Sequence, residues 1–410
     1  MNIQLIHEEG GGLQLKDELR NLLLYIILQF PLSSIVKVYI GSLNLILTGT
    51  VFLLFFYCFF RYRIKVRELY LVVYIILTLI QNVFLWGFNY YEDNMLFYFP
   101  FLILYFCFFV RNASYIYEFM KKNKIYIDII LIVWCIIVVI SMFIPKCYIF
   151  EGETLSFVSF AGTTFLLCPI AIYIFVLLVF QYCVHKNIIY IIGLFVPSLC
   201  VFMGTTRTYL IVLFCAWLVF LYVLLRNKKI FIPVLIVGGA VFITIALASP
   251  VKEKFIDTLG RVQDLGLDTI TAFSSSRNLF WEYDIKTIFS NKPIKILFGN
   301  GVEYLFNINR AKFDVPLWAH NDFIQILSDY GLFGIFVYLY MIKFMIANFF
   351  KGEKISKILI CIIIVMWFFN AFFNMFYTYF CAVLSFPFFL LVVKYDAERE
   401  RILRSNSGEK

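Results

Sequence analysis

Charged residues are scarce in this chain, and histidine is scarcer still. Only 15% of the 410 residues are charged and only three are histidines, whereas 62% are hydrophobic. The mean hydropathy of +0.88 reflects more apolar side chain than a soluble domain needs, which excludes a soluble globular enzyme. The composition predicts an all-α polytopic membrane protein instead.

Several motifs with well-defined chemistry are also missing. The sequence has no Walker A motif, no G-x-G-x-x-G after a strand, no H-E-x-x-H and no D-x-D. No C-x-x-C occurs, and only Cys147 of the ten cysteines lies in an expected loop, so neither a disulfide framework nor a metal cluster is indicated. We therefore expect no metal and no other cofactor, with Glu92 and Asp93 of "YYEDN" as the alternative metal ligands.

Apolar runs near the length of a membrane span are frequent. A helix needs about 20 apolar residues to cross the hydrocarbon layer, and twelve such runs can be placed. They lie at about 21–38, 42–60, 69–88, 95–110, 125–144, 158–182, 187–204, 208–225, 230–249, 323–347, 356–376 and 378–393.

The positions of the basic residues give an independent orientation. Lys and Arg crowd cytoplasmic connections, and here they follow every even-numbered span. The net charge of +9 therefore reports topology, and no nucleic-acid partner is expected. We predict an inner-membrane protein with both termini cytoplasmic. The basic residues that follow even-numbered spans are Arg61, Arg63, Lys65, Arg67, Arg111, Lys121, Lys122, Lys124, Lys186, Arg226, Lys228, Lys229, Lys351, Lys354, Lys357, Lys394, Arg399, Arg401 and Arg404.

One connection is long. Nine spans are expected in 1–249, a large periplasmic loop in 250–322, three spans in 323–394 and a basic cytoplasmic tail in 395–410. Loops of this length are usually functional. Within the loop, residues 274–291 begin with serines suited to an N-cap and continue with apolar residues at helical spacing, which predicts a short amphipathic helix against the outer leaflet.

Three residues on the expected outer side are candidates for a functional site. Arg207 lies between spans seven and eight, Arg277 in the large loop and His320 at the mouth of span ten. Each has a simpler explanation when taken alone: a snorkelling arginine, a solvated arginine and an interfacial histidine. Together they indicate an anion site with a base nearby, because guanidinium groups match phosphate oxygens and histidine titrates near neutral pH.

Span ten begins with polar residues on one face. Asp322, Gln325 and Asp329 are spaced i, i+3 and i+7, so they share a face that should point into the helix bundle. A polar packing seam between helices is the simpler interpretation of Asp329, and close helix packing is the simpler one of Gly331 and Gly334.

Three ordered stretches resemble one bacterial family. They are "TTRTYL", "SSSRNLFWEYDIKTIFSNKPIKILFGNG" and "AHNDFIQILSDYGLFGIF", all within about 200–340. This set is similar to the O-antigen polymerase and O-antigen ligase family, which includes the lipid A core ligases. The family often has Ser-Gly-Arg where this chain has Ser276 directly before Arg277.

The resemblance implies a metal-independent, inverting glycosyl transfer from a polyprenyl-diphosphate-linked oligosaccharide at the periplasmic face. In it, Arg207 and Arg277 hold the diphosphate and His320 is the general base. Other partners it implies are the membrane and a chain-length regulator protein. Supporting roles fall to Ser276, Trp281, Asn321, Asp322 and Asp329.

Two members of this family and one protein of another class remain open. The high content of phenylalanine and tyrosine is typical of a strain-variable polysaccharide gene cluster and favours a polymerase of O-antigen or capsular polysaccharide over a ligase that transfers glycan to lipid A core. A flippase of lipid-linked sugars also has about twelve spans, but it would more naturally have short loops, internal repeats and broken helices at mid-membrane.

Overall fold

The structure is a computed structural model that describes most of the chain. The residues described are 22, 41–61, 72–74, 76–77, 80, 95–112, 122–151, 154–225, 228–264, 268, 271, 274, 276–314, 317–351 and 354–378. The expected spans at 21–38 and 378–393 lie almost entirely outside them, as do most of 69–88, the pair Glu92 and Asp93, and the basic tail. The count of twelve spans therefore stays a prediction.

Eight helices precede the large loop in the described part of the chain. Apolar runs become helices in a bilayer because only a helix or a closed barrel satisfies its own backbone polar groups there. The bounds are α1 Gly41–Arg61, α2 Met95–Arg111, α3 Lys124–Ser141, α4 Thr164–His185, α5 Ile189–Gly193, α6 Phe195–Met203, α7 Arg207–Leu224 and α8 Lys228–Ala248.

A small hairpin precedes α4. Strands β1 (Tyr148–Glu151) and β2 (Thr154–Phe157) pair antiparallel, with Tyr148 opposite Phe157. Span six was expected to begin at 158, and this start was wrong. A 3-10 turn at Ser159–Ala161 and Gly162, with φ 74°, separate the hairpin from the helix, which begins at Thr164.

Among the residues that the structure describes, four helices lie in the large loop and two follow it. The loop helices are α9 Val251–Asp264, α10 Arg277–Phe289, α11 Pro293–Phe298 and α12 Tyr304–Phe313, and the later ones are α13 Asp322–Lys351 and α14 Lys354–Phe373. The helix expected within 274–291 is confirmed as α10. Its contact with the outer leaflet stays a prediction, and in the structure α10 packs against α12 and α13.

The core is formed around α4. This helix is buried along nearly all of its length and packs against α6, α7 and α14. In α8 none of the apolar residues is fully buried, although Phe242 and Ala246 pack against the core. Among the described residues, three helices are long and apolar enough to cross a membrane: Thr164–His185, Lys229–Ala248 and Asp322–Ala347. Mostly helical architecture with long apolar helices is that of an all-α membrane protein.

Helix α13 is broken at Gly331, whose φ of 68° and ψ of −165° are not helical. The break separates Asp322–Tyr330, which is almost entirely buried in protein, from Leu332–Lys351, which exposes Leu332, Phe333 and Phe336. The second segment is about 20 residues, or roughly 30 Å, long and can cross the hydrocarbon layer unaided. The polar residues of the first segment are therefore enclosed by protein.

The end of α11 fills the break. A Cβ atom on Gly331 would overlap the carbonyl oxygen of Leu297, and one on Gly299 would overlap that of Asp329. Asn300 N–H donates to the carbonyl of Ser328 at 2.7 Å. Gly331 thus permits the close approach of α11 to α13, as expected of it, and also a break in α13 that was not expected.

Candidate active site

His320 lies just before α13, on a short segment that leads out of the large loop. Its φ of 48° is in the left-handed region, which is uncommon for residues other than glycine, although histidine adopts it more readily than most. The ring is partly buried. Asn321 follows as the residue that caps α13, because its Oδ1 accepts the backbone N–H of Ile324 at 3.1 Å.

Arg277, the first residue of α10, lies beside His320 and at the end of α14. Its Nη1 donates to the carbonyl oxygen of Phe373, and Asn321 Nδ2 donates to that of Phe372 at 3.0 Å. The last carbonyls of a helix carry partial negative charge and attract cations. Arg277 and Asn321 therefore join the loop, α13 and α14 at one point.

The electrostatics at this point keep His320 neutral. Burial, and then the positive charge of Arg277, lower the pKa of His320 from 6.5 to about 4. At neutral pH the imidazole is therefore uncharged and has a lone pair that can accept a proton. An anion bound at Arg277 would offset the guanidinium charge and make that protonation easier.

Arg207 is held by a different partner. It is the first residue of α7, and its Nη1 donates to Thr258 Oγ1 of α9 at 2.6 Å. The side chain of Thr258 is buried. Helix α7 packs along α14, whose last residue contacts Arg277. Arg277 lies near enough to His320 for its charge to lower the pKa of the imidazole, and the convergence of Arg207 on these two residues stays a prediction.

The segment before His320 is fixed from several sides. Trp281 Nε1 donates to the carbonyl of Ala319 at 2.6 Å, and Ala319 N–H donates to Gln325 Oε1 at 3.0 Å. Asn309 Nδ2 donates to the carbonyl of Leu317 at 3.1 Å. Residues of α10, α12 and α13 thus hold the backbone that presents the imidazole.

The polar face predicted for span ten points into the protein. Asp322, Gln325 and Asp329 are all buried. Tyr338 donates its hydroxyl to Asp322 Oδ2 at 2.5 Å, while Gln325 Nε2 lies 2.9 and 3.0 Å from the two carboxylate oxygens of Asp329. These acids have partners within the helix bundle.

Ser276, directly before α10, does not cap the helix as expected. Ser276 precedes the helix with φ 64°, and its side chain makes no capping hydrogen bond. A capping residue normally has an extended backbone, which Ser276 does not have. Ser274 Oγ instead contacts Asn278 Oδ1 at 2.8 Å and the carbonyl of Thr271 at 3.1 Å. The turn before α10 is therefore stabilised by Ser274, which bonds to residues on both sides of it.

No cluster of metal-binding side chains is described around His320. Across the described ranges, no group of three or more His, Cys, Asp or Glu side chains is arranged to hold a metal ion. Glu92 and Asp93, the alternative ligands, are outside these ranges.

A buried carboxylate lies one turn further along α10 from Trp281. Asp284 is fully buried and lies between Trp281 and Ile288 of the same helix, both of which belong to a small apolar cluster. In the described part of the chain, neither of its carboxylate oxygens accepts a hydrogen bond of normal geometry. Burial raises the pKa of Asp284 from 3.8 to about 7, and the adjacent Asn309 opposes this only in part.

We expect Asp284→Asn to stabilise the protein at and above pH 7. A carboxyl whose pKa is raised by folding contributes its stability fully below its unfolded pKa near 4 and loses it as pH rises through about 7. The thermal midpoint of purified protein should therefore fall from pH 5 to pH 8 for the wild type and change much less for the variant. Glu282→Gln, an exposed change on the same helix, is the control. If the thermal midpoint of Asp284→Asn falls between pH 5 and pH 8 as much as that of the wild type, the pKa of Asp284 is not raised by folding.

Comparison with known proteins agrees with the resemblance. Residues 192–339 match the family model described as O-Antigen ligase. This match covers a little over a third of the chain and includes Arg207, Arg277 and His320. No curated protein matches the chain. The family resemblance inferred from the three motifs is therefore confirmed for this part of the sequence.

Sequence reasoning missed several residues that support the site. Thr258, Asn309 and Asp284 lie on loop helices whose packing no local pattern specifies. Gln325 was placed on the correct helix face, but its contact with Ala319 was not foreseen. Asp284 and Asn309 could have been noticed in the sequence in one way: each is a polar residue on the apolar face of a short loop helix.

Proposed function

We propose that this protein is a polysaccharide polymerase of the O-antigen or capsular type. It would transfer a glycan from a polyprenyl diphosphate to a hydroxyl of a lipid-linked repeat unit at the periplasmic face. The observation that supports this most is the pair formed by His320 and Arg277 within the matched segment. A neutral imidazole beside a guanidinium provides a base next to a phosphate ligand.

In the proposed reaction the acceptor hydroxyl oxygen attacks the anomeric carbon of the donor sugar. The new glycosidic bond forms as the bond from the anomeric carbon to the diphosphate oxygen breaks, which inverts the configuration. His320 accepts the hydroxyl proton, and Arg277 and Arg207 stabilise the charge on the departing diphosphate. Because two guanidinium groups supply that positive charge, the proposal needs no metal ion.

The part of the site built from Asn321, Trp281 and Asp322 serves this chemistry indirectly. Asn321 joins the start of α13 to the end of α14, and Trp281 holds the residue before His320. Asp322 ties the first turn of α13 to Tyr338 on its second segment. We propose that these contacts keep His320 and Arg277 at a fixed separation.

A ligase that transfers the completed glycan to lipid A core is the second candidate. The description of the matching family favours it, and the two enzymes share donor and chemistry. The flippase is less well supported. The break at Gly331 is a feature expected of such a transporter, but the backbone of Leu297 and Gly299 packs into it, and a flippase would more naturally have short loops.

The polysaccharide profile of a deletion strain separates these candidates. A polymerase deletion should leave a single repeat unit on the lipid A core or carrier, with no long chains. A ligase deletion should leave polymer on the polyprenyl carrier and bare core. Repeat units trapped at the cytoplasmic face would show that the protein is a flippase.

A further inference from the structure

Gln325 occupies a position that connects the interior of α13 to the segment carrying His320. Its side chain is fully buried, and it lies one turn after the residue that caps the helix. Its Oε1 accepts Ala319 N–H at 3.0 Å, while its Nε2 donates to both carboxylate oxygens of Asp329. One side chain thus links the loop to a buried acid.

The orientation of this amide is determined at both ends. Exchange of Oε1 and Nε2 would point two donors at each other at Ala319 and two acceptors at each other at Asp329. Both arrangements leave buried polar groups unsatisfied, which is costly. Asp329 therefore fixes which end of the Gln325 amide faces Ala319.

Ala319 is held on both sides of its Cα atom. Gln325 accepts the N–H of the peptide unit that enters Ala319, and Trp281 donates to the carbonyl of the unit that leads into His320. With both peptide planes fixed, the backbone arrives at His320 in one direction. This matters because His320 adopts φ 48°, a conformation that persists only where its surroundings enforce it.

From these contacts we infer that Gln325, oriented by Asp329, is a positioning residue for His320. The inference rests on the proposed function, since it concerns the geometry of the base in that reaction. Gln325 acts through Ala319 and does not itself contact the substrate. It keeps the imidazole at the distance and angle that proton transfer from the acceptor requires.

A polarity exchange between the two side chains tests this directly. Gln325→Glu keeps the acceptor for Ala319 but removes the amide that donates to Asp329, so that two carboxyl groups face each other in place of an amide and an acid. Combining Gln325→Glu with Asp329→Asn restores one hydrogen bond at each end, because the amide introduced at position 329 donates to the carboxylate introduced at position 325, which still accepts from Ala319. Gln325→Leu removes the acceptor altogether. Gln181→Leu is a matched control, since Gln181 is a buried glutamine of α4.

The measurement is steady-state transfer by purified full-length protein with polyprenyl-diphosphate-linked repeat unit as substrate. We expect kcat of Gln325→Leu and of Gln325→Glu to fall roughly a hundredfold, as a misplacement of about 1 Å can cause. KM for the lipid-linked donor should stay within about twofold, because substrate binding is untouched. The double variant should recover to within about fivefold of wild type, and Gln181→Leu should match wild type.

Two results would overturn the positioning role: a wild-type kcat for Gln325→Leu, or a double variant as slow as Gln325→Glu. If either result is obtained while His320→Ala is inactive, the positioning role is wrong but the proposed function still stands. Transfer that is absent from the wild type, or undiminished in His320→Ala, contradicts the proposed function itself. Should Gln325→Leu fail to fold, the difference in kcat between Gln325→Glu and the double variant still tests the positioning role of Gln325.

Discussion

His320→Ala and His320→Asn should both abolish long-chain polysaccharide while the protein accumulates normally in the membrane. General base catalysis contributes typically about 10² to 10⁴ in rate, and neither alanine nor asparagine can accept the acceptor's proton. The asparagine variant is the sharper one. Like histidine, asparagine tolerates the left-handed backbone that residue 320 adopts, with φ 48°, so it removes the base with little strain.

The measurement is the polysaccharide ladder of a deletion strain carrying each variant, alongside an immunoblot of the membrane fraction. Arg310→Ala and Lys312→Ala are the controls, because both residues are exposed basic positions of α12 in the same loop and should be tolerated. Normal long chains from a well-expressed His320→Asn strain would return His320 to the role of an interfacial anchor.

Gly299→Ala and Gly331→Ala should prevent the protein from folding correctly. Both glycines have positive φ, 92° and 68°, and an added Cβ atom would lie within 2.6 Å of backbone atoms that cannot rotate away. Their ψ angles of 169° and −165° put both residues in a backbone region almost confined to glycine, which costs another residue about 1–3 kcal/mol before any clash. The clash places these changes among the largest point-mutation effects, about 4–5 kcal/mol. That is a large part of a typical folding free energy of about 5–15 kcal/mol.

Two other glycines provide the comparison. Gly238 and Gly239 lie in α8, where a Cβ atom would have no neighbour within 4 Å, so alanine there should be tolerated. The readouts are membrane abundance and the thermal midpoint of purified protein. Wild-type abundance and midpoint in Gly331→Ala would show that α13 does not need its break.

The break in α13 is also linked to the position of His320. Gly299 packs against the backbone of Asp329, and Asp329 orients Gln325, which holds Ala319 next to His320. A shift of the loop at Gly299 would therefore move the base as well as destabilise the helix. Partly folded Gly299→Ala protein should be inactive for this reason.

Local sequence patterns predicted the helices well and their mutual contacts poorly. Apolar runs and the i, i+3, i+7 spacing suffice for α10 and for the buried face of α13, because both depend on neighbours along the chain. The break at Gly331 depends on Leu297 and Gly299, which are far from it in sequence. A Gly-x-x-Gly pattern alone therefore looks like a helix-packing motif.

The sequence pointed to the residues of the candidate site but not to the contacts that hold them. Arg207 stood out because the charge rule disfavours a basic residue in a short connection that is expected on the outer side, and Arg277 and His320 stood out because they lie in the stretches that resemble the family. The attachment of Arg277 to Phe373 and of Arg207 to Thr258 joins segments that are distant in the chain. No spacing in the sequence encodes such pairs.

The most direct test of the central claim is transfer by the purified protein with a polyprenyl-diphosphate-linked repeat unit as both donor and acceptor. In excess chelator, the wild type should lengthen the glycan and release one polyprenyl diphosphate for each new linkage, and His320→Asn should do neither. Lengthening by His320→Asn at the wild-type rate, or activity that requires added divalent metal, would contradict a metal-independent transfer with His320 as its base.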